Sequence, residues 1–282
     1  MSSETQPTQP VAPRARHRRR LTRRRAVVGG LAALGLTGAA LVGSGMLAPA
    51  GAASAWPEAK GSKPVAKTIE VSGTYDGKLQ RFHGTGALGD GGQGEGQAPM
   101  FTLKDGAVLK NVVIGSPAAD GVHCLGSCTL QNVWWEDVGE DAASFKGKSA
   151  SSVYTVYGGG ARKASDKVFQ FNGAGKLVIT KFQLSDFGKL VRSCGNCSTQ
   201  YKRTIIVSDV DVTVPGKQLV GVNANYGDTA SLRDIRVHGD AKRKIQPCVR
   251  YEGNNKGKEP RTLGSGPDGT HCRYAASDIT YP

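Results

Sequence analysis

The sequence predicts an all-β protein built as a parallel β-solenoid, because two short motifs repeat in step along the chain. In the first motif, an aliphatic residue precedes Asn or Asp by two positions and an apolar residue follows, as in Leu109-Lys-Asn111-Val112 and Leu130-Gln-Asn132-Val133. In the second, a charged residue opens a segment that ends in Gly, as at 120–126 and 141–147. Both motifs advance by 21 residues, a spacing typical of one solenoid coil. A β-sandwich also has many short strands, but its hairpins do not explain two motifs that step together.

The first 55 residues differ in composition from the rest of the chain. Residues 1–25 contain eight arginines and one acidic residue, and residues 26–50 are uncharged and rich in Ala, Gly, Leu and Val. Ala53-Ser54-Ala55 then matches a small-x-small cleavage site. The pattern predicts an export signal over residues 1–55, and the arginines at 23–25 favour the twin-arginine route. An uncleaved membrane anchor is the alternative, since about 20 apolar residues can span a bilayer.

Residues 56–282 are expected to form a single domain that is modestly basic. The formal charge of the whole chain is +14, of which +7 remains after residues 1–55 are removed. A basic exported domain can bind nucleic acid, a membrane surface or an acidic polysaccharide. No nucleic-acid-binding module is recognisable, so an extracellular acidic glycan is the remaining candidate. We expect a secreted monomer with no nucleic-acid partner and no membrane association after cleavage of the signal.

All six cysteines lie after the predicted signal, and an even number suits disulfides in an exported protein. Their spacing favours three pairs, namely Cys124–Cys128, Cys194–Cys197 and Cys248–Cys272. The last pair would hold the glycine-rich segment 253–269, which is predicted to be an irregular loop. The alternatives are a zinc site made by two close cysteine pairs, or a redox site at Cys194-Gly-Asn-Cys197.

The solenoid interpretation aligns charged residues from successive coils. The four segments that end in glycine begin with Asp120, Asp141, Lys167 and Lys189. Carboxylates on adjacent strands, ~4.8 Å apart, repel unless a cation joins them. Glu140 adds a third carboxylate, and oxygen ligands without His or Cys favour Ca²⁺ over zinc. The segments therefore predict a calcium site, with a surface acidic turn as the alternative.

The basic residues that follow suit elimination on a uronate. Such a reaction needs a base that removes the proton beside the carboxylate and a cation that stabilises the negative charge formed. Lys167, Lys189 and Arg192 can supply both, and a lysine among other cations is expected to have a lowered pKa. The alternative is a row of solvated surface charges.

The same alignment predicts which positions face the core. The third positions are Val122, Ala143, Phe169 and Val191, and the fifth positions are Cys124, Phe145, Phe171 and Ser193. Both sets are expected to point inward, whereas the polar fourth positions should point outward. The charged first position is expected in a turn, because strict alternation would turn it inward. Looser copies of the first motif are centred on Thr155, Lys181, Asp209 and Asp234.

The residues around these aligned charged positions resemble a known family. Residues 119–124, Ala-Asp-Gly-Val-His-Cys, and 132–142, Asn-Val-Trp-Trp-Glu-Asp-Val-Gly-Glu-Asp-Ala, resemble the pectate lyases of polysaccharide lyase family three. Residues 88–95, 166–172, 186–192, 253–257 and 264–269 are also similar. The resemblance implies a right-handed parallel β-helix and calcium-dependent cleavage of polygalacturonate by β-elimination, giving 4,5-unsaturated oligogalacturonides.

The resemblance also implies roles for individual residues. Asp120, Glu140 and Asp141 match the calcium ligands, Lys167 matches the proposed base, and Lys189 and Arg192 match substrate-binding or charge-stabilising positions. Glu95 and Lys146 match residues near the cleft, and Lys163 is added as a candidate for substrate binding. The close cysteine pair of the family matches Cys124 and Cys128. A polygalacturonase-type hydrolase and a calcium-dependent pectin-binding solenoid remain as alternatives.

Overall fold

Each repeat of the sequence forms one coil made of short strand segments. A computed structural model describes residues 55–92, 94 and 96–282. The predicted export signal lies outside the described residues except for Ala55. In the coil that begins after Asp120, Val122–Cys124 is one strand, and Cys128–Trp135 is a second strand that bends at Asn132.

Sixteen strands are present in the described part of the chain. They are β1 (Ser62–Val65), β2 (Ile69–Val71), β3 (Thr74–Gly84), β4 (Phe101–Leu103), β5 (Ala107–Ile114), β6 (Val122–Cys124), β7 (Cys128–Trp135), β8 (Ala143–Phe145), β9 (Val153–Phe171), β10 (Gly175–Ser193), β11 (Arg203–Asn223), β12 (Thr229–His238), β13 (Gln246–Glu252), β14 (Arg261–Ser265), β15 (Cys272–Arg273) and β16 (Ile279–Thr280). The remaining regular elements are three single-turn 3₁₀ helices, at Gly86–Leu88, Ala224–Tyr226 and Ala276–Asp278.

The strands stack in parallel, coil upon coil. One row, which we call the short row, runs from β2 through β4, β6 and β8 and then through the final segments of β9, β10 and β11 to β13. Within it Val122 pairs with Ala143, Ala143 with Phe169, and Phe169 with Val191. The predicted third-position and fifth-position ladders are confirmed, since all eight residues are fully buried. At the fourth position, Ser144 and Arg192 are also buried, because neighbouring side chains cover them.

The first sequence motif marks a corner of each coil. Asn111, Asn132, Lys181, Asp209 and Asp234 all have φ near +54°, in the left-handed region that Asn and Asp tolerate better than most residues. The Asn132 side-chain amide donates to Oδ1 of Asn111 at 2.8 Å, which links consecutive coils.

The coil in which β9 begins departs from the predicted alignment. Its corner residue is Gly158, with φ of +67°, because Val156 pairs with Leu130 and Tyr157 pairs with Gln131. The prediction that placed Thr155 at this corner is therefore wrong by three residues. A glycine at the corner carries no Asn or Asp signature, although it adopts the same backbone conformation readily.

The interior of the coils is filled by stacked aromatic and aliphatic side chains. Trp135, Phe169 and Phe182 are fully buried, and the ring centroids of Phe169 and Phe182 lie 5.4 Å apart. At the C-terminal end, β13 adds to the short row and pairs with β14 in antiparallel orientation. The segment predicted as an irregular loop therefore contains a strand, Arg261–Ser265. The architecture is the parallel β-helix that the sequence predicts.

Candidate active site

Three carboxylates converge beside the short row. Asp120 lies in the turn before β6, and Glu140 and Asp141 lie just before β8. Because Val122 pairs with Ala143, the two aspartates sit at equivalent positions of adjacent coils. Gly121 allows this approach, since a Cβ there would lie 2.2 Å from the carbonyl oxygen of Ala142. Carboxylate oxygens of the three residues all lie within 4.8 Å of one another.

The acidic cluster carries more negative charge than its surroundings compensate. Asp120 and Asp141 are buried, and one oxygen of each, Oδ1, has no hydrogen-bond partner. Burial raises the pKa of both Glu140 and Asp141 and outweighs the opposite effect of Lys167, and the charge of Asp120 adds to the rise. Orphaned carboxylate oxygens at this separation fit a bound divalent cation, and a donor set made only of oxygens suits Ca²⁺. These three residues are thus able to hold a metal ion.

Lys167 lies against the same cluster, on the next coil. Its Nζ is 3.6 Å from Oδ1 of Asp141, 3.8 Å from Oε1 of Glu140 and 2.8 Å from Oδ2 of Asp166. Burial lowers the pKa of this lysine, but the charges of Asp141, Asp166 and Glu140 outweigh burial and raise the pKa above its ordinary value. The expectation that neighbouring cations lower the pKa of Lys167 is therefore wrong, because its neighbours are carboxylates.

Asp166 joins the two candidate lysines and was not singled out by sequence reasoning. Its carboxylate accepts hydrogen bonds from Nζ of Lys167 and from Nζ of Lys189, which pair in register on β9 and β10. Burial raises the pKa of Asp166, but these two bonds and charges more than reverse the effect and lower it. The only sequence signal was its position directly before Lys167.

Arg192 lies at the base of the adjoining pocket. The pocket has a volume of about 200 Å³, and its lining includes Lys167, Lys189 and Arg192. Nη1 of Arg192 donates to the carbonyl oxygen of Ser193 and to Oδ1 of Asn223, the latter at 2.9 Å. Burial lowers the pKa of this guanidinium to about 10. Three candidate cations thus face one small cavity next to the acidic cluster.

His123 connects the acidic cluster to Lys146. Its Nε2 lies 2.6 Å from Oδ2 of Asp120, and Nζ of Lys146 lies 3.0 Å from the same ring nitrogen. Lys146 therefore reaches the cluster through His123, as expected for a residue near the cleft. Lys163 has a different place, since its side chain is 58% exposed and its ion pair is with Asp137, at 3.8 Å. Glu95 lies outside the described residues.

Comparison with known proteins identifies the family. The family model described as pectate lyase matches residues 53–258. The chain belongs to the pectate lyase family. Pectate lyase E of Emericella nidulans is 48% identical over 221 residues, which cover 78% of this chain and 84% of that protein. Probable pectate lyase D of Neosartorya fischeri is 46% identical over 222 residues, which cover 78% of this chain and 89% of that protein.

Solved pectate lyase structures share the fold. The catalytic domain of pectate lyase PelI from Erwinia chrysanthemi superimposes with a TM-score of 0.67 at 31% identity, covering 78% of this chain and all of that domain. PelI in complex with tetragalacturonic acid superimposes with a TM-score of 0.66 at 32% identity, covering 78% of this chain and 70% of PelI. The parallel β-helix of this pectate lyase family member is therefore the architecture of its solved relatives.

The cysteines of this pectate lyase family member form the three predicted disulfides. They are Cys124–Cys128, Cys194–Cys197 and Cys248–Cys272. All six cysteines are paired, which leaves no thiolate for the alternative zinc site. Cys248–Cys272 ties β13 to β15, and so it anchors the strand that borders the pocket. Within residues 55–282, as far as they are described, no helix has the length and hydropathy to cross a bilayer.

Proposed function

We propose that this chain is a calcium-dependent lyase of polysaccharide lyase family three. Its substrate is (1→4)-α-D-galacturonan, which it cleaves by β-elimination to release 4,5-unsaturated oligogalacturonides. The observation that carries the proposal is a cluster of three carboxylates in contact with Lys167, which together with Lys189 and Arg192 lines one pocket, in a member of the pectate lyase family. The complex of its relative PelI with tetragalacturonic acid supports polygalacturonate as the substrate class.

Asp120, Glu140 and Asp141 would hold the calcium ion. Two buried oxygens without hydrogen-bond partners and an oxygen-only donor set support this assignment. When bound, calcium supplies a positive charge that binds a uronate carboxylate and acidifies the proton on the neighbouring carbon. His123 fixes one carboxylate of this set, because it holds Oδ2 of Asp120 at 2.6 Å.

The proton transfer is assigned to one of the basic side chains that face the pocket, which must be deprotonated to act. One of Lys167, Lys189 and Arg192, in its uncharged form, accepts the proton from C5. Lys167 is the first candidate because it lies closest to the carboxylates that would hold the calcium ion. The electron pair of the broken C–H bond forms the C4=C5 double bond as the bond from C4 to the glycosidic oxygen breaks. The departing oxygen takes a proton from water. The other cations stabilise the negative charge that develops on the uronate carboxylate.

We propose that residues 1–55 direct export and that residues 56–282 are the secreted catalytic domain, acting as a monomer. Three disulfides and no free cysteine support an extracellular location. No nucleic-acid partner is needed for this activity, and no membrane association follows once the signal is removed. The net charge of +7 on residues 56–282 suits a polyanionic polysaccharide.

The test is the ultraviolet absorbance of the unsaturated product during incubation with polygalacturonate, with calcium and then with excess chelator. We expect absorbance that rises with calcium and stops with chelator. Lys167→Ala is expected to lower kcat by roughly 10²- to 10⁴-fold, as for loss of a general base. Lys110→Ala is the matched control, because this half-exposed lysine pairs with Asp76 on another face of the helix.

Two outcomes would refute the proposed function. Reducing ends without ultraviolet absorbance would indicate hydrolysis, which relies on two carboxyl groups flanking the glycosidic bond. Binding of polygalacturonate without any product would indicate a pectin-binding solenoid.

A further inference from the structure

Arg192 occupies a slot that neighbouring coils leave open for its side chain. On the next coil it pairs in register with Gly221. A Cβ at Gly221 would lie 2.6 Å from Cδ of Arg192, so a larger residue there would collide with the arginine. On the other side, a Cβ at Gly195 would lie 2.5 Å from Nη2 of Arg192. Two glycines thus define the space for one side chain.

The aromatic ring of Tyr251 forms one wall of this slot. The guanidinium carbon of Arg192 lies 3.9 Å from the centroid of the ring, a stacking contact between a cation and an aromatic face. The ring is itself fixed, because the hydroxyl of Tyr251 donates to Oε1 of Gln218 at 2.8 Å. Tyr251 belongs to β13, where it pairs in register with Asn223 of β11.

Asn223 forms the end of the slot. Its Oδ1 accepts the hydrogen bond from Nη1 of Arg192, and its Nδ2 donates to the carbonyl oxygen of Cys194 at 2.8 Å. Asn223 is fully buried, so its amide has little freedom to turn. The guanidinium is therefore held on its face by a fixed ring and at its edge by a fixed amide.

Arg192 also differs from the two lysines in its charge environment. Lys167 and Lys189 both bind the carboxylate of Asp166. The guanidinium of Arg192 contacts a carbonyl, an amide and a ring, and none of the described carboxylates forms an ion pair with it. Asp228 and Glu259 lie near enough for their charges to act on this guanidinium, but neither is paired with it directly. A buried guanidinium without a direct ion-pair partner is ready to meet negative charge brought by a substrate.

We propose that Tyr251 is a positioning residue for the elimination reaction, and that it acts by holding the Arg192 guanidinium in the orientation that meets the negative charge of the substrate. This inference rests on the proposed function. A planar guanidinium matches a flat ring face, and stacking does not use the N–H groups at its edges. Nη1 is already bound to Ser193 and Asn223, so a carboxylate would meet the remaining N–H groups. Because the stabilisation depends on geometry, a small displacement of Arg192 is costly.

The test compares kcat and KM of Tyr251→Leu, Tyr251→Phe and the wild type in the ultraviolet assay. We expect Tyr251→Leu to lower kcat by roughly 10- to 100-fold with little change in KM, since the ring that orients Arg192 is lost while the basic residues that line the pocket with Tyr251 are kept. Tyr251→Phe keeps the ring and is expected to retain kcat within about threefold. Tyr281→Leu is the matched control, because it removes a similar stacking contact, with Arg243 at 4.8 Å, at a different site.

A double-mutant cycle with Arg192→Lys shows whether Tyr251 acts through Arg192. If it does, adding Tyr251→Leu to Arg192→Lys causes no further loss of kcat. A full additional loss, a loss confined to KM, or unchanged kcat in Tyr251→Leu would overturn the proposal.

A second variant approaches the slot from the opposite side. Gly221→Ala is expected to displace Arg192 and to lower kcat into the same range, so it serves if Tyr251→Leu does not fold. Normal kcat in a folded Gly221→Ala protein would contradict the proposed slot. Absence of unsaturated product from the wild type would instead refute the proposed function, so the two failures are distinguishable.

Discussion

Two acidic clusters of this protein are neutralised differently. In the candidate active site, Asp120 and Asp141 come from adjacent coils, and each retains an oxygen without a hydrogen-bond partner. On another face of the helix, Asp209 and Asp211 lie beside the next coil, whose Arg236 donates to both of them at 2.7–2.8 Å. His238 adds a contact to Asp211 at 3.0 Å.

The two clusters differ accordingly in the pKa shifts of their carboxyl groups. Burial and neighbouring carboxylates raise the pKa of Glu140 and Asp141. Burial also raises the pKa of Asp211, but its bonds to Arg236 and His238 outweigh burial and lower the pKa below its usual range. The protein can therefore neutralise two neighbouring aspartates of one strand with an arginine from the next coil, and at the candidate site it supplies only part of the positive charge needed. A bound cation would supply the remaining positive charge.

The largest expected effect comes from removing one carboxylate from each cluster. Asp141→Asn should lower kcat by roughly 10³-fold or more, because the proposed calcium site would lose a ligand and with it the Lewis acid. Asp211→Asn is the matched change in the compensated cluster, by which we mean Asp209 and Asp211 paired with Arg236. It should leave kcat unaltered. Initial rates of unsaturated product formation at saturating calcium provide the measurement. Equal losses in the two variants would break the comparison.

A smaller effect is expected on stability when calcium is added. A ligand that binds only the folded state at 100 times its Kd stabilises that state by about 2.7 kcal/mol. Thermal unfolding of the wild type should therefore shift upward by several degrees between chelator and excess calcium. The shift should persist in Asp211→Asn and disappear in Asp141→Asn. A shift of the same size in Asp141→Asn would place calcium elsewhere in the molecule.

The smallest effect concerns the compensated cluster and its dependence on pH. Asp211→Asn should reduce the free energy of unfolding near neutral pH by about 1–3 kcal/mol, since it weakens charged hydrogen bonds to Arg236. The folded pKa of Asp211 is lower than the unfolded value, so its stabilisation is complete above the unfolded pKa, about 4. It is lost as the pH falls through the folded pKa.

Urea unfolding of the wild type and of Asp211→Asn between pH 6 and pH 3 tests whether this stabilisation is lost as the pH falls. The range is set by the unfolded and folded pKa values. The difference in unfolding free energy between the two proteins should shrink toward the acidic end. A difference that grows as the pH falls would contradict the assignment of this charge pair.

Much of this arrangement was predictable because the repeat fixes the register. Once Asn111 and Asn132 are placed one coil apart, Asp120 and Asp141 must be neighbours, and the structure places them so. Lys167 and Lys189 follow at steps of 26 and 22 residues, one coil each, and pair in register with each other. Positions along a coil are therefore readable from sequence spacing wherever the spacing stays regular.

Contacts between side chains from different parts of the chain were not predictable in this way. Asp166 points to Lys167 and Lys189, and so reverses the expected electrostatics of Lys167, but spacing says nothing about the direction of a side chain. Tyr251 lies far from Arg192 in sequence and reaches it only because β13 extends the short row. The corner at Gly158 was misplaced because glycine stands there in place of Asn.

The column of left-handed corners has a consequence for engineering the length of the molecule. Coils of different lengths share one register at these corners, so additional residues are accommodated in the connecting loops. A whole coil could be grafted between existing ones if it carried a single Asn, Asp or Gly at the corner position and apolar residues at the inward positions. If such a coil were inserted outside the coils that carry the candidate active site, it would lengthen the protein without altering the distances between the side chains of that site.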